Sequence, residues 1–167
     1  MYRVGFGYDV HAFDLKRGDY VTICGIKIPH KYKLLAHSDG DIALHALTDA
    51  ILGSVAEGSI GIHFPPTDPK WKDANSEEFV RHAQKLLIQK GYGIQNIDIT
   101  IICQAPKIMP HALQMRENIA RILDLETEQV NIKAVTTEGL GALGREEGIA
   151  AQAIVLVHKD ISQKTGA

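Results

Sequence analysis

Residues 34–53 read LLAHSDGDIALHALTDAILG. Two histidines, His37 and His45, and four acidic or hydroxyl groups, Ser38, Asp39, Asp41 and Asp49, are threaded through a run that is otherwise almost all Ala, Leu and Ile. From Asp41 onward, Ile42, Leu44, Ala46, Leu47, Ala50 and Ile51 spread around much of a helical circumference, which predicts a helix with little exposed surface. Asp41, His45 and Asp49 recur at i, i+4 and i+8 and so share one stripe of it. A polar stripe on a buried helix costs desolvation energy unless something pairs with it, and the chemistry of the stripe points to a metal ion. Ser38, three residues before Asp41, matches a capping-box start, and the helix is expected to fail near Gly53 or Gly58.

Upstream, residues 2–13 (YRVGFGYDVHAF) read as an extended segment with a bend at Gly5 or Gly7, and residues 20–28 (YVTICGIKI) as two short strands around Gly25. Pro29 to Lys33 is a basic loop. Downstream, residues 58–75 hold three prolines and almost no periodicity, a long loop of the kind that often carries function. Ser76 is expected to cap a second helix that Gly91 ends. A β-branched strand at 94–104, a helix at 111–123, a strand at 131–137, a glycine-rich loop at 138–148 and a last strand at 149–159 complete the chain. The class is α+β or α/β: a single domain over residues 1–159 with one mixed sheet of the four-stranded type and helices on one face, followed by a frayed tail at 160–167.

At 167 residues the chain is long enough to bury a core without staples. A formal charge of −2 shows no bias toward nucleic acid or an anionic membrane. Cys24 and Cys103 lie in apolar runs far apart in sequence; they read as buried reduced thiols, with pairing the alternative. No secretory signal is visible, and the longest apolar run, Ile149 to Val157, is too short to span a bilayer. These features suit a cytoplasmic protein.

Three constellations carry chemistry. Asp9 and His11, two apart on an extended segment, point to one face, and His45 adds a third ligand. One carboxylate and two imidazoles with an open fourth position is the pattern of a catalytic zinc site; two ordinary histidines beside a surface aspartate would read the same. Asp49, one turn beyond His45, either orients its second ring nitrogen or is a solvated helix residue. His37 and Ser38 at a helix start form either a phosphate cradle or a simple cap. Thr136, Thr137 and Glu138 at a strand end suit a phosphate bridged by a divalent cation. Arg145 in the same glycine loop is either a phosphate ligand or an exposed arginine. The G-x-G-x-x-G at residues 139–144 is no dinucleotide fingerprint, because a strand follows it rather than a helix.

Taken together, G-x-D-V-H-A-F (7–13), L-L-A-H-S-D-G-D-x-A-L-H-A-L-T-D-A (34–50), I-G-x-x-F-P (60–65), A-P-K (105–107) and T-T-E (136–138) resemble the 2-C-methyl-D-erythritol 2,4-cyclodiphosphate synthase family over about residues 2–158. The resemblance implies a homotrimer whose sheets pack around the threefold axis, with active sites between subunits. Its substrate is a cytidine-diphosphate-linked methylerythritol carrying a 2-phosphate, cyclised with loss of CMP. It further implies Zn²⁺ on Asp9, His11 and His45, and Mg²⁺ or Mn²⁺ on Glu138. His37 and Thr136 become transition-state stabilisers, and Ser38 a contact to the erythritol phosphate side. Cys103, Ala105, Pro106, Lys107 and Met109 form a cytosine pocket contributed by a neighbour. Remaining substrate contacts fall on Ser59, Ile60, Gly61, Phe64 and Asp68, and on Val135, Thr137, Ala142 and Arg145.

The sequence departs from the family pattern in places. Ser59 replaces a common ribose-binding aspartate, Pro66 another aspartate, and Val135, Gly139 and Ala142 replace Thr, a basic residue and Phe. These departures motivate an alternative, a non-catalytic trimeric nucleotide-binding module. A structural-zinc protein fails on ligand type, because closed sites favour cysteine.

Overall fold

Tyr2–Arg17 runs as one long strand, β1, in the computed structural model, which describes residues 1–65 and 67–159. Pro66 and the expected tail lie outside the described residues. The bend expected at Gly5 or Gly7 is absent: β1 pairs antiparallel with the last strand, β7 (Gly148–His158), without interruption from Tyr2 to Ala12. The two glycines serve a different purpose. A Cβ on Gly5 would overlap the carbonyl oxygen of Ala50, and one on Gly7 that of Ala46, so both admit a helix backbone against the strand.

That helix is α1 (Ile42–Ser54), buried at nearly every residue as the all-round apolar pattern predicts. Its start differs from expectation. Asp41 is the N-cap, accepting a hydrogen bond from Leu44 N–H at 3.1 Å, and Ser38 takes no part. The same carboxylate accepts from Cys24 N–H (2.9 Å) and Gly25 N–H (2.5 Å), pinning the turn of the hairpin formed by β2 (Tyr20–Ile23) and β3 (Ile26–Pro29). Burial pushes the Asp41 carboxyl up to about 6, against the pull of its backbone donors.

The supposed basic loop is partly a strand, β4 (Tyr32–Leu34), which pairs with the far end of β1. With β5 (Gly93–Ile102) and β6 (Val130–Val135) the mixed sheet has five strands, ordered β4-β1-β7-β5-β6, one more than the four expected. Only β5 and β6 are parallel. Three longer helices, α1, α3 (Ser76–Gln89) and α4 (Ala112–Leu123), cover one face and share one core with it. A short helix α2 (Ile60–His63) interrupts the long loop, and another, α5 (Gly141–Gly144), the glycine-rich one. Asn75, not Ser76, caps α3, accepting from Glu77 N–H at 2.9 Å.

Among the described residues, nothing covers the other face of the sheet along β1. Tyr2, Val4, Phe6, Tyr8 and Val10 alternate outward along β1, each about half exposed or more, with Ile154 of β7 beside them. A contiguous apolar stripe of this kind marks an interaction surface.

Candidate active site

Gly5, Gly7, Asp9 and His11 share the helix-facing side of β1, because side chains of a strand alternate. The glycines bring α1 close, and His45 in its first turn meets the two polar residues beyond them. His45 Nδ1 lies 2.9 Å from Asp9 Oδ2 and 3.1 Å from His11 Nε2, and His11 Nε2 lies 3.1 Å from the same Asp9 oxygen. Three lone-pair donors therefore converge on one point. Tetrahedral bonds of about 2.0–2.1 Å set donors about 3.3 Å apart, so the donor set fits a zinc-sized ion. Burial opposes ionisation of Asp9, but hydrogen bonds and charge from the two rings outweigh it and hold the carboxyl well below the usual carboxylate range.

The second nitrogen of His45 is not oriented by Asp49. His45 Nε2 lies 3.0 Å from Ser38 Oγ and 2.9 Å from Ser76 Oγ. Asp49 instead accepts from Ile60 N–H at 2.6 Å, which fixes the start of α2. That anchorage positions one wall of a cavity of about 260 Å³ lined by Asp9, His11, His37, Ser38, His45, Ile60, Gly61, Phe64, Trp71 and Phe79. Sequence reasoning missed Trp71 as a lining residue and placed Phe79 only in the helix core. No sequence pattern marked them, because they meet Phe64 only in the folded chain: the three rings pack edge to face and tilted, with centroids 4.4 to 5.9 Å apart. Two expected contacts fall outside this cavity. Ser59 is exposed at the start of α2, and Asp68 caps a turn by accepting from Lys70 N–H at 3.0 Å.

A second cavity, about 370 Å³, opens at the β6 edge of the sheet. Cys103, Pro106, Lys107, Met109, Val135 and Thr136 line it, as does Gln104, which lies inside the expected stretch 103–109; Ala105 contributes the cis peptide bond to Pro106. Gln104 Nε2 is buried without a hydrogen-bond partner among the described residues. Burial pushes the Cys103 thiol up to about 11. At the cavity's rim Thr136 Oγ1 donates to Glu138 Oε1 (3.0 Å) and accepts from Glu138 N–H (3.1 Å), both residues being exposed. Glu138 offers one carboxylate, which suits a cation whose other ligands are phosphate and water. Thr137, Ala142 and Arg145 do not line either cavity; Arg145 Nε donates to Glu147 at 2.6 Å.

The two cavities share no lining residue. Asp9 pairs with Ala151 on β7, Ala151 with Ile101 on β5, and Ile101 with Ala134 on β6, so both sit on one row across the sheet. Three strand steps separate their backbones, about 14 Å.

Residues 2–158 match the YgbB family. The 2-C-methyl-D-erythritol 2,4-cyclodiphosphate synthase of Ehrlichia canis is 61% identical over 159 residues, covering 93% of this chain and 92% of the relative. The protein of the same description from Ectopseudomonas mendocina is 57% identical, covering 94% and 99%. Among solved structures, a Plasmodium falciparum IspF described as a CDP complex superposes with a TM-score of 0.83 at 35% identity, covering 95% of this chain and 97% of that one.

Proposed function

The chain belongs to the YgbB family, and from that premise we propose that it cyclises 4-diphosphocytidyl-2-C-methyl-D-erythritol 2-phosphate to 2-C-methyl-D-erythritol 2,4-cyclodiphosphate, releasing CMP. The observation that carries the reading is the convergence of Asp9, His11 and His45 beside His37 and Ser38, in a chain whose close relatives bear that enzyme's name. The non-catalytic alternative loses force because the ligand set and Glu138 are all retained.

The reaction needs no protein nucleophile. An oxygen of the 2-phosphate bonds to the β-phosphorus, the bond from that phosphorus to the α–β bridging oxygen breaks, and CMP departs with the electron pair. Such a transfer depends on positioning and charge stabilisation. Asp9, His11 and His45 would hold Zn²⁺ and Glu138 would hold Mg²⁺ or Mn²⁺, the two cations offsetting phosphate charge. Ser38 and His37 receive the erythritol phosphate side and Thr136 the diphosphate. Phe64, Trp71 and Phe79 keep water from the metal corner. Cytosine goes to the cavity of Cys103, Pro106, Lys107 and Met109. Gln104 at its edge has an amide nitrogen still to be satisfied, which favours a polar ligand there.

One substrate has to reach both cavities, which lie on separate parts of a single chain. A homotrimer that buries the apolar stripe of β1 and sets the β6 edge of one subunit beside the β1 strand of the next would join them. The stripe's exposure in one chain supports that assembly. A cytoplasmic location fits the two free, buried cysteines and the absence, among the described residues, of any helix long and apolar enough to cross a membrane.

The test is incubation of purified, metal-replete protein with the cytidine-diphosphate substrate and Mg²⁺. CMP and the cyclic diphosphate are expected in equal amounts, and no product from protein that carries zinc and is correctly assembled overturns the reading.

A further inference from the structure

The plain role for a serine at the start of a helix is capping, and Asn75 already fills it for α3. Ser76 is nevertheless fully buried, and its hydroxyl is turned away from the helix toward His45. It also lies 2.5 Å from Asp39 Oδ1, while its backbone N–H donates to Asp39 Oδ2 at 3.0 Å. In that contact the Ser76 hydroxyl donates and the Asp39 carboxylate oxygen accepts. What remains at Ser76 is an oxygen lone pair facing His45 Nε2 at 2.9 Å.

We propose that Ser76 is a positioning residue for His45, accepting the ring proton at Nε2 so that Nδ1 stays turned to the metal position beside Asp9 and His11, and that Asp39 fixes and polarises the Ser76 hydroxyl. This rests on the reading of Asp9, His11 and His45 as a zinc site. An imidazole that donates its outer N–H to an anchored acceptor is locked in ring orientation and made a stronger ligand through the other nitrogen. Here the acceptor is a hydroxyl with a carboxylate behind it.

Ser38 is the competing acceptor at 3.0 Å, and its surroundings differ. Its oxygen accepts from Gly40 N–H at 3.3 Å, and no carboxylate takes its proton. That proton stays available to a ligand in the cavity, whereas the one on Ser76 is committed. Two backbone bonds, Asp39 N–H to Ala74 O (3.1 Å) and Asp73 N–H to His37 O (2.9 Å), hold the loop before α1 against the turn before α3. The relay is thus braced from both ends.

The experiment measures zinc affinity by competition with a chromophoric chelator, together with the solvent-exchange rate of the His45 ring N–H in the zinc-loaded protein. Ser76→Ala is expected to weaken zinc about 10–100-fold and to speed that exchange. Ser76→Thr, which keeps the hydroxyl, recovers most of the affinity. Asp39→Asn shifts both readouts in the same direction by less, and its exposed position keeps the test decisive should Ser76→Ala not fold. Ser38→Ala leaves zinc affinity within about twofold, which is well inside the loss set for an outer partner. Wild-type affinity and unchanged ring N–H exchange in folded Ser76→Ala or Asp39→Asn overturn the proposal, as does a loss confined to Ser38→Ala. Failure of the wild type itself to bind zinc refutes instead the zinc reading beneath it.

Discussion

The corner of Asp9, His11 and His45 and the edge of Thr136 and Glu138 are prepared to very different degrees. The corner draws on β1, α1, the loop before α1 and the first turn of α3. Its three donor atoms already stand 2.9 to 3.1 Å apart in a half-buried, aromatic-walled recess. At the edge, one exposed carboxylate leans on one exposed hydroxyl, and only the strand end locates them. A site whose ligands come from a single chain can be built before substrate arrives. A site that, under the proposed assembly, a neighbour and phosphate oxygens complete has to stay open, and its residues give up order for access.

The sharpest way to break this contrast is to remove a ligand from the corner. His45→Ala is expected to lower kcat/KM roughly 10³-fold, the several kcal/mol that a bound cation gives to developing charge, and to empty the zinc site in metal analysis. Next in size is the proposed subunit contact. Phe6→Lys places a charge in the apolar stripe, and sedimentation should show loss of the proposed trimer. Turnover should fall with it, about 10²-fold for groups that no longer meet. Retained trimer mass in this variant would show that the stripe is not the contact.

Glu138→Gln tests the edge directly. Activity should drop roughly 10–100-fold, the scale of losing one charge-stabilising group, and more Mg²⁺ should be needed, while zinc content and thermal stability stay as they were. A fall in zinc content would join what the geometry keeps apart. Gly7→Ala acts on the corner through packing and should cost about 1–3 kcal/mol in denaturant unfolding, the range for overpacking. Cys103 gives the smallest effect. Its thiol is held up to about 11 by burial, and only the thiolate is nucleophilic. Alkylation should therefore be slow near neutrality and climb about tenfold per pH unit toward that value. Fast labelling of native protein at pH 7 would contradict the burial.

Much of the corner was legible because the periodicities are strict. Asp9 and His11 had to share a face of a strand, and His45 had to share one polar stripe with Asp41 and Asp49 on an otherwise apolar helix. The edge was legible only through resemblance, since T-T-E has no period to read. What failed was local chemistry with several solutions. Ser38, Asp41, Asn75 and Ser76 are all good caps, and the sequence could not say that Asp41 and Asn75 would take the backbone and release both serines toward His45. Asp49 was one turn from His45 and equally near α2, and it serves α2. Gly5 and Gly7 suggested a bend because the helix they accommodate is 40 residues away in the chain.

Those two glycines set a tolerance. Gly7 touches Ala46, the residue after His45, and stands two before Asp9, so the gap between strand and helix also fixes the gap between carboxylate and imidazole. Chemistry here is calibrated by missing atoms. A single methyl at position 7 would act like a shim in a calliper, detuning the metal corner while every ligand kept its identity. A search for inactive variants that looked only at ligands would overlook it.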